Sequence, residues 1–359
     1  MDGVDAYAVS FSGGLDSLAA LVAARTVAPE AEVTVVAVEM SDDRGRSNLP
    51  AIERLLDALD LTSQLHVVTR DNVAGVIPEW SERGPHLDSM PATNRRISEI
   101  AAERGARLVL TGNGADELLG TTRYLFGALL RVRDLRGVAR YFGDTIAAAP
   151  RALPWELLGL TSPALPRRLR TVLFLAIAWP ELLDRKAPPV LGASFRGVVS
   201  TWTDHFMSRL EEVHMRHPNW ATMDAWDSVS PPPELPQPGL VRWASPFREP
   251  AFRRAAQRLP LVQRYDARAG HPYWRAKAQV LQLLPAEPAL HLPVIKDSFA
   301  SELEAHHRAL SRDAPTCASL GLVDAGALRA CDDPSVIARV AALETWVAGA
   351  LARGVGIER

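Results

Sequence analysis

Two short stretches of the sequence combine glycines with acids, and the first of them also contains serine hydroxyls. SFSGGLDS occupies residues 10–17, and GNGADE occupies residues 112–117. Glycines let a backbone turn sharply and expose its N–H groups, and the start of a helix favours an anion. The first stretch therefore suits a phosphate group, although the lysine of a Walker A loop is missing. Asp16 would repel that phosphate unless a hard cation, with Mg²⁺ the first candidate, lay between them, and Asp116 is a candidate ligand for the same ion.

The surrounding pattern predicts that both stretches lie at one edge of a parallel sheet. Apolar, β-branched runs at residues 6–11, 32–40, 64–69 and 107–113 alternate with helical periodicity at residues 15–27, 49–59 and 93–104. Such alternation is typical of an α/β fold whose sheet is covered on both faces. Ligands of these sheets bind at the carboxyl ends of the strands, where both glycine-rich stretches fall. After Ala115 the pattern is mainly helical, with a proline-rich loop expected at residues 230–239 and helices over residues 243–359.

Composition narrows the classes of function. The chain has 359 residues, of which 23% are charged, and its net charge of -2 gives no basic excess for a nucleic-acid partner. The N-terminus lacks the basic region of a secretory signal, and the longest apolar run, residues 172–179, is far shorter than the roughly 18 residues of a membrane helix. Cys317 and Cys331 fit no metal-binding spacing, so we expect two buried thiols, a cytoplasmic location and no membrane partner.

The first stretch resembles the pyrophosphate loop of the PP-loop ATP pyrophosphatase superfamily. The second, within VLTGNGADELLG, is similar to the GxGxDE motif in the synthetase domain of asparagine synthetases, a group that includes β-lactam synthetases and lasso-peptide cyclases. Further similar segments follow in the same order at residues 245–260, 273–285 and 292–299 and in the C-terminal helices. The resemblance implies a PP-loop, adenine nucleotide alpha hydrolase-like sheet at residues 1–148. It also implies a mainly helical region at residues 149–359 that binds substrate and carries the catalytic lysine.

The resemblance also implies roles for individual residues. The pyrophosphate of ATP would be held by Ser10, Ser12, Gly13, Gly14 and Ser17, Mg²⁺ by Asp16 and Asp116, and the adenosine would lie near Val38, Met40 and Gly112. A substrate carboxylate would attack the α-phosphorus of ATP, pyrophosphate would leave, and an amine would then displace AMP. Lys296 matches the family's catalytic lysine. A flexible ammonium group suits both steps, because negative charge moves from the phosphoryl oxygens to a tetrahedral oxyanion.

Two departures concern the acceptor amine. Asparagine synthetases begin with a glutaminase domain whose nucleophilic cysteine follows the initiator Met, whereas residue 2 here is Asp2. We therefore expect free ammonia, ammonia from a separate protein, or another amine. Asn113 occupies the position of a Glu in asparagine synthetases and a Tyr in β-lactam synthetases, and it cannot accept a proton. We expect Asn113 to orient the acceptor or the acyl carbonyl; His86 and Asp88 are candidates for a relocated base, with capping or surface roles as the alternative.

The substrate side also departs from the family. LPVIKDSF lacks the arginine usually found before the lysine, and GTTRY replaces Gly-Gly-Tyr. Trp202, Trp220, Trp226 and Trp243 are expected in the core or, alternatively, around a pocket for a larger acyl group. The sequence thus favours an ATP-dependent amide synthetase of natural-product biosynthesis. Its expected partners are a small-molecule or peptide carboxylate, an amine or ammonia donor, and a separate amine-supplying or carrier protein.

Two other functions stay open at this stage. One is a non-catalytic nucleotide-binding subunit of a larger synthetase, which the presence of Asp16, Asp116 and Lys296 disfavours. The other is a tRNA-modifying thiolase, which would need a reactive cysteine pair near the loop and a basic face.

Overall fold

The computed structural model describes residues 5–73, 76, 80–88, 90–180, 187–228, 241–285 and 290–356. The proline-rich loop expected at residues 230–239 lies outside the described residues. Within them the fold is α/β, as predicted: a parallel sheet flanked by helices, followed by a mainly helical portion.

The sheet has five strands in the order β3-β2-β1-β4-β5, and every neighbouring pair is parallel. The strands are β1 (Ala6–Ser10), β2 (Glu32–Val38), β3 (Leu65–Val68), β4 (Leu108–Leu110) and β5 (Arg242–Ala244). The first four confirm the predicted strands. The expectation of helices alone over residues 243–359 was wrong at β5. β4 is equally short but is apolar throughout, whereas β5 begins with Arg242 and has no β-branched residue; β5 is defined instead by its pairing with β4, with Val109 opposite Trp243.

Both faces of the sheet are buried, which explains the nearly continuous apolar runs. Alternate residues of β1 such as Tyr7 and Val9 pack on the side of α1 (Leu15–Val27) and α2 (Leu49–Asp57). Ala8 points to the other side, where Ile97 and Ala101 of α3 (Pro91–Glu103) cover the sheet. The predicted helix positions are therefore confirmed to within about two residues at their ends.

The remaining helices follow the second glycine-rich loop. They are α4 (Ala115–Leu119), α5 (Phe126–Arg131), α6 (Leu135–Ala148), α7 (Leu153–Thr161), α8 (Arg167–Ala178), α9 (Arg196–His214), α10 (Trp220–Ser228), α11 (Pro250–Gln257), α12 (Pro272–Ala276), α13 (Ala278–Leu281), α14 (Ala300–Arg308), α15 (Pro315–Ser319), α16 (Ala325–Arg329) and α17 (Pro334–Ala352). Short 3-10 turns connect several of them.

Among the described helices, α17 has the length and apolar composition that would let a helix cross a membrane. Here it packs against α14 and α15. A core helix of a soluble protein passes the same test, so this property alone is weak evidence for a membrane span. The cysteines lie in this region: Cys317 is buried as expected, whereas Cys331 is only half-buried because it lies in the turn between α16 and α17.

Candidate active site

The two glycine-rich loops meet where the order of the strands reverses. The chain runs from β1 outward to β2 and β3 and then returns to place β4 on the other side of β1. In such sheets this reversal leaves a crevice at the carboxyl ends of the strands. The loops pack so closely there that a Cβ on Gly112 would lie 2.6 Å from the backbone nitrogen of Ser17 and 2.7 Å from the carbonyl carbon of Asp16. Glycine at position 112 is therefore what allows the second loop to approach the first.

The first loop has a conformation that can bind an anion at the start of α1. Ser10 ends β1, and Gly13 adopts a positive φ of 79° at a point where a Cβ would contact Ile52. The Ser12 N–H donates to the Ser17 hydroxyl at 3.3 Å, and the Ser17 hydroxyl donates to the Gly14 carbonyl at 3.1 Å. Gly14 is the N-cap, and no side chain caps the helix. The first backbone N–H groups of α1 thus face the crevice beside two serine hydroxyls.

The second loop turns at Gly114, whose φ is +92°, and leads directly into α4. Asn113 is exposed at this turn. Its carbonyl accepts a hydrogen bond from the Ser245 hydroxyl at 2.5 Å, and its N–H donates to the Thr111 hydroxyl at 3.4 Å. The backbone of Asn113 is therefore anchored while its side chain lies at the rim of the crevice.

Four charged side chains meet between the loops. Lys277 Nζ lies 2.6 and 2.5 Å from the two carboxylate oxygens of Asp16 and 2.5 Å from Oδ1 of Asp116. Lys296 Nζ lies 3.1 Å from Oδ2 of Asp116. The Lys277 side chain is 4% exposed, whereas that of Lys296 is 67% exposed. The structure thus brings together Asp16, Asp116 and Lys296, as the predicted site requires, and adds a buried ammonium group.

Lys277 was missed by the sequence analysis, although its segment was matched to the family. A usable signal was present. Of the 40 lysine and arginine residues only three are lysines, Lys186, Lys277 and Lys296. In a chain that uses arginine almost everywhere else, each lysine is a candidate for a position that uses a compact ammonium group on a flexible stem. Two of these three lysines lie in this site.

The two carboxylates have different electrostatic surroundings. Burial raises the pKa of Asp16 above its ordinary value, and the single contact with Lys277 does not cancel that effect. Burial acts in the same direction on Asp116, but Lys277 and Lys296 together outweigh it, and the pKa of Asp116 is lowered. Burial also raises the pKa of Tyr273, with the charges of Asp16 and Asp116 adding to it, so this phenol stays neutral.

The carboxylate pair fits a magnesium ion. Asp16 and Asp116 come from different loops, yet both contact one nitrogen atom, so a single cation is within reach of both. Mg²⁺ is commonly held by one or two carboxylates together with phosphate oxygens and water. The described residues contain no cluster of three or more His, Cys, Asp or Glu side chains, so such an ion would depend on phosphate for its remaining ligands. Lys277 Nζ contacts the same oxygens, and the two cations would have to share them.

The end of β2 is fixed by Asn48, which the sequence analysis also missed. Its Nδ2 donates to the Val38 carbonyl at 2.9 Å, and its Oδ1 accepts from the Met40 N–H at 3.0 Å. Met40 lines a pocket of about 520 Å³ at the carboxyl ends of β2 and β3, together with Arg70 and Glu302. Asn48 therefore fixes the backbone of Val38 and Met40, the residues near which the adenosine is expected.

The two candidates for a base lie outside this charged group. Asp88 accepts hydrogen bonds from the Met90 N–H at 3.2 Å and from Asn94 Nδ2 at 3.0 Å, which link the turn before α3 to the first turn of the helix. His86 lines a separate large cavity beside Trp80. These contacts give Asp88 a structural role beside the start of α3, although no side chain caps that helix.

The four tryptophans expected in the core or around an acyl pocket lie in different places. Trp220 is fully buried, and Trp226 packs in the same cluster. Trp202 is 55% exposed and stacks on Phe206, while Trp243 donates from β5 to the Ser98 hydroxyl. A core position is therefore confirmed for Trp220 and was wrong for Trp202, and a role for some of these tryptophans around an acyl pocket stays a prediction.

A comparison with protein families agrees with the geometry of the loops. The family model described as asparagine synthase matches residues 2–259 of the 359-residue chain. The match contains both glycine-rich loops and ends before Lys277 and Lys296. No curated protein matches the chain significantly.

Proposed function

Because the chain belongs to the asparagine synthase family, an ATP-dependent amide-forming synthetase in general, we propose that it adenylates a substrate carboxylate and transfers the acyl group to an amine or ammonia. Pyrophosphate would leave in the first step and AMP in the second. The observation that carries this proposal is the meeting of Asp16, Asp116, Lys277 and Lys296 between the two loops. Adenylation places negative charge on phosphoryl oxygens. The two lysines, and the Mg²⁺ that the two carboxylates would hold, can stabilise that charge.

Each residue has a task in this proposal. Ser12, Ser17 and the first N–H groups of α1 bind the pyrophosphate. Asp16 and Asp116 hold Mg²⁺, which when bound neutralises phosphate charge. Lys277 keeps the two carboxylates together and balances their repulsion. Lys296 acts on the reacting phosphoryl and acyl oxygens, because its exposed side chain is free to follow the charge from one step to the next.

We propose that the acceptor differs from that of housekeeping asparagine synthesis. Asn113 lies at the rim of the crevice with its backbone anchored, and its amide orients the acceptor or the acyl carbonyl without accepting a proton. The family match within this chain is to the synthetase domain. Purified 359-residue protein should therefore form amide with ammonia or an amine and should not hydrolyse glutamine; glutamate formed in step with product would contradict this.

The wider assignments are part of the same proposal. Residues 1–148 form the nucleotide-binding core, and residues 149–359 supply substrate contacts together with β5 and both lysines of the site. The departures at Asn113 and around Lys296 support a role in natural-product biosynthesis, with the amine or acyl group delivered by a separate protein. The free cysteines support a cytoplasmic location.

A thiolase is disfavoured by the chemistry of the cysteines. Burial, with the Glu344 carboxylate adding to it, raises the pKa of Cys317 to about 12, which leaves an unreactive thiol. A non-catalytic scaffold is disfavoured by Lys277, because a buried ammonium group between two acids is costly to keep without a function.

Exchange of labelled pyrophosphate into ATP tests the proposal. The protein is incubated with ATP, Mg²⁺ and a panel of carboxylic acids, without an amine. We expect acid-dependent exchange that Asp116→Asn abolishes. Asp134→Asn is the matched control, since Asp134 caps α6 away from the loops. Exchange that does not depend on any acid, or that survives Asp116→Asn, would contradict the proposal.

A further inference from the structure

A cavity of about 1010 Å³ lies beyond the carboxyl edge of β3, apart from the charged site. Its walls come from the segment before α3, from the start of α3, and from α14 and α17. Alanines such as Ala305, Ala309, Ala338 and Ala341 form much of the surface, and Trp80 and Trp346 supply its largest rings. Binding sites for small organic molecules typically measure about 300–1,000 Å³ and are mostly apolar, so this cavity has the size and lining of such a site.

The two tryptophans form a rigid, flat part of the wall. Their rings are nearly parallel at 12°, with centroids 6.3 Å apart. Trp80 Nε1 donates to the Trp346 carbonyl at 2.9 Å, and Trp346 Nε1 donates to the Ser81 carbonyl at 2.6 Å. A Cβ on Gly349 would lie 2.5 Å from Trp80, so α17 carries glycine where the ring rests against it. The Arg353 guanidinium lies 4.8 Å from the centre of the Trp80 ring.

The cavity shares one wall residue with the pocket at the carboxyl ends of β2 and β3. Arg70 lines both this cavity and the pocket beside Met40. Helix α14 begins just after Lys296; Glu302 in its first turn pairs with Arg70 at 3.0 Å, and Ala305 and Ala309 farther along line the cavity. The path along the helix from Glu302 to Ala309 is about 10 Å. The segment that carries Lys296 thus leads into the helix that forms one wall of the cavity.

The charges in the wall discriminate between an acid and an amine. Among the described residues that line the cavity, the one acidic side chain is Asp88, which is already bound by Met90 and Asn94. Arg70 and Arg353 contribute positive charge. The lining thus has two cations, one of them paired with Glu302, against the single carboxylate of Asp88, and Arg353 supplies the excess of positive charge that favours a neutral or anionic body over an ammonium group.

We propose that this cavity binds the body of the carboxylic acid substrate, and that the acid carries a bulky aromatic group that packs in the alanine-lined space beside Trp80 and Trp346. This inference rests on the proposed function, because it takes the acid to be the molecule that is adenylated. A small polar acid such as aspartate would leave most of the cavity unfilled. The cavity thus gives the class of substrate that the charged site alone does not specify.

Binding of two probes with the same aromatic body tests the inference directly. Isothermal titration compares 3-(indol-3-yl)propanoate, tryptamine and aspartate, with ATP absent. We expect the indole acid to bind at least about tenfold more tightly than either of the others. Ala341→Leu, which fills the cavity from α17, should weaken its binding about tenfold or more, and Ala309→Leu should do so from the opposite wall. Ala348→Leu, exposed on α17 and outside the cavity, should change nothing.

The outcomes separate this inference from the proposed function. If tryptamine binds as tightly as the indole acid or more tightly, the cavity belongs to the amine and the inference is overturned. The inference is also overturned if Ala341→Leu and Ala309→Leu both fold and neither changes the affinity for the indole acid. Pyrophosphate exchange supported by aspartate but not by the indole acid would overturn the inference while leaving adenylation intact. Binding of the indole acid that Ala341→Leu weakens, without exchange for any acid, would support the cavity's ligand class and contradict the adenylation chemistry instead.

Discussion

Replacing Lys277 with methionine tests how the charged site is held together. Lys277 Nζ contacts both Asp16 and Asp116 within 2.6 Å, and its side chain is 4% exposed. Methionine preserves most of the apolar stem, so the change is mainly electrostatic. Removing one partner of a buried ion pair costs about 3–5 kcal/mol, because the remaining charge is left uncompensated. Since the side chains of Asp16 and Asp116 are 23% and 47% exposed, water offsets part of this cost, and we expect a loss of about 2–3 kcal/mol in the free energy of unfolding near pH 7.

The sign of the pH dependence follows from the same contacts. In Lys277→Met both carboxylates lose a cation, so their pKa values in the folded state rise above those of the wild type. As the pH falls into the range where carboxylates titrate, the folded variant therefore binds more protons than the folded wild type. Its free energy of unfolding falls less than that of the wild type, so the difference between the two proteins shrinks on acidification. At low pH, where Asp16 and Asp116 are protonated in both proteins, the difference should reverse, because the wild type keeps a buried ammonium group without a charged partner.

Urea denaturation followed by circular dichroism, without ATP or Mg²⁺, measures this difference. Lys296→Met is the matched control: its side chain is 67% exposed and makes one contact at 3.1 Å, so its cost should stay within about 1 kcal/mol. Lys277 would not be the group that balances the two carboxylates if Lys277→Met and Lys296→Met lowered the free energy of unfolding equally near pH 7. The same conclusion would follow if the stability difference between wild type and Lys277→Met grew on acidification.

Three further substitutions separate the loops, the lysine and the acceptor. Gly112→Ala should destabilise the protein by about 1–3 kcal/mol and weaken ATP binding, because its Cβ would collide with the backbone of the first loop. Gly197→Ala, where a Cβ meets open space, is the control. Equal effects of the two substitutions in urea denaturation would count against the close packing of the loops. Lys296→Ala should slow turnover on the order of 10²–10³-fold with little change in ATP affinity, measured by titration; a lost affinity with unchanged rate would contradict its role. Asn113→Ala should slow amide formation about 10–100-fold more than pyrophosphate exchange, and equal losses would place Asn113 on the nucleotide side instead.

The parts of the fold that local pattern determines were predictable. Long apolar runs gave β1 to β4, and glycines followed by a hydroxyl or acid gave both loops. β5 was not predictable because Arg242, Trp243 and Ala244 do not form an apolar, β-branched run, and the strand exists through its pairing with β4. The ring pair of Trp80 and Trp346 was missed for a related reason: the two residues are far apart in the sequence, and only the packing of α17 beside the segment before α3 brings them together.

The residues of the charged site also separate into those that the sequence could predict and one that it could not. Asp16 and Asp116 were found because each lies in a motif after a strand, and Lys296 because its flanking residues resemble the family. The segment around Lys277 also resembles the family, but no role was assigned to the lysine, and its burial arises only when α12 and α13 pack beside α1 and α4. The scarcity of lysine in the chain was a further signal that marked it.

Transfer of ¹⁸O from the substrate carboxylate tests the central claim most directly. An acid that supports pyrophosphate exchange is labelled in its carboxyl oxygens and incubated with ATP, Mg²⁺ and the acceptor amine, and the products are examined by mass spectrometry. If the carboxylate attacks the α-phosphorus, one labelled oxygen must appear in AMP when the amine displaces it. Label in inorganic phosphate with ADP as the nucleotide product, or amide formed with unlabelled AMP, would contradict the account.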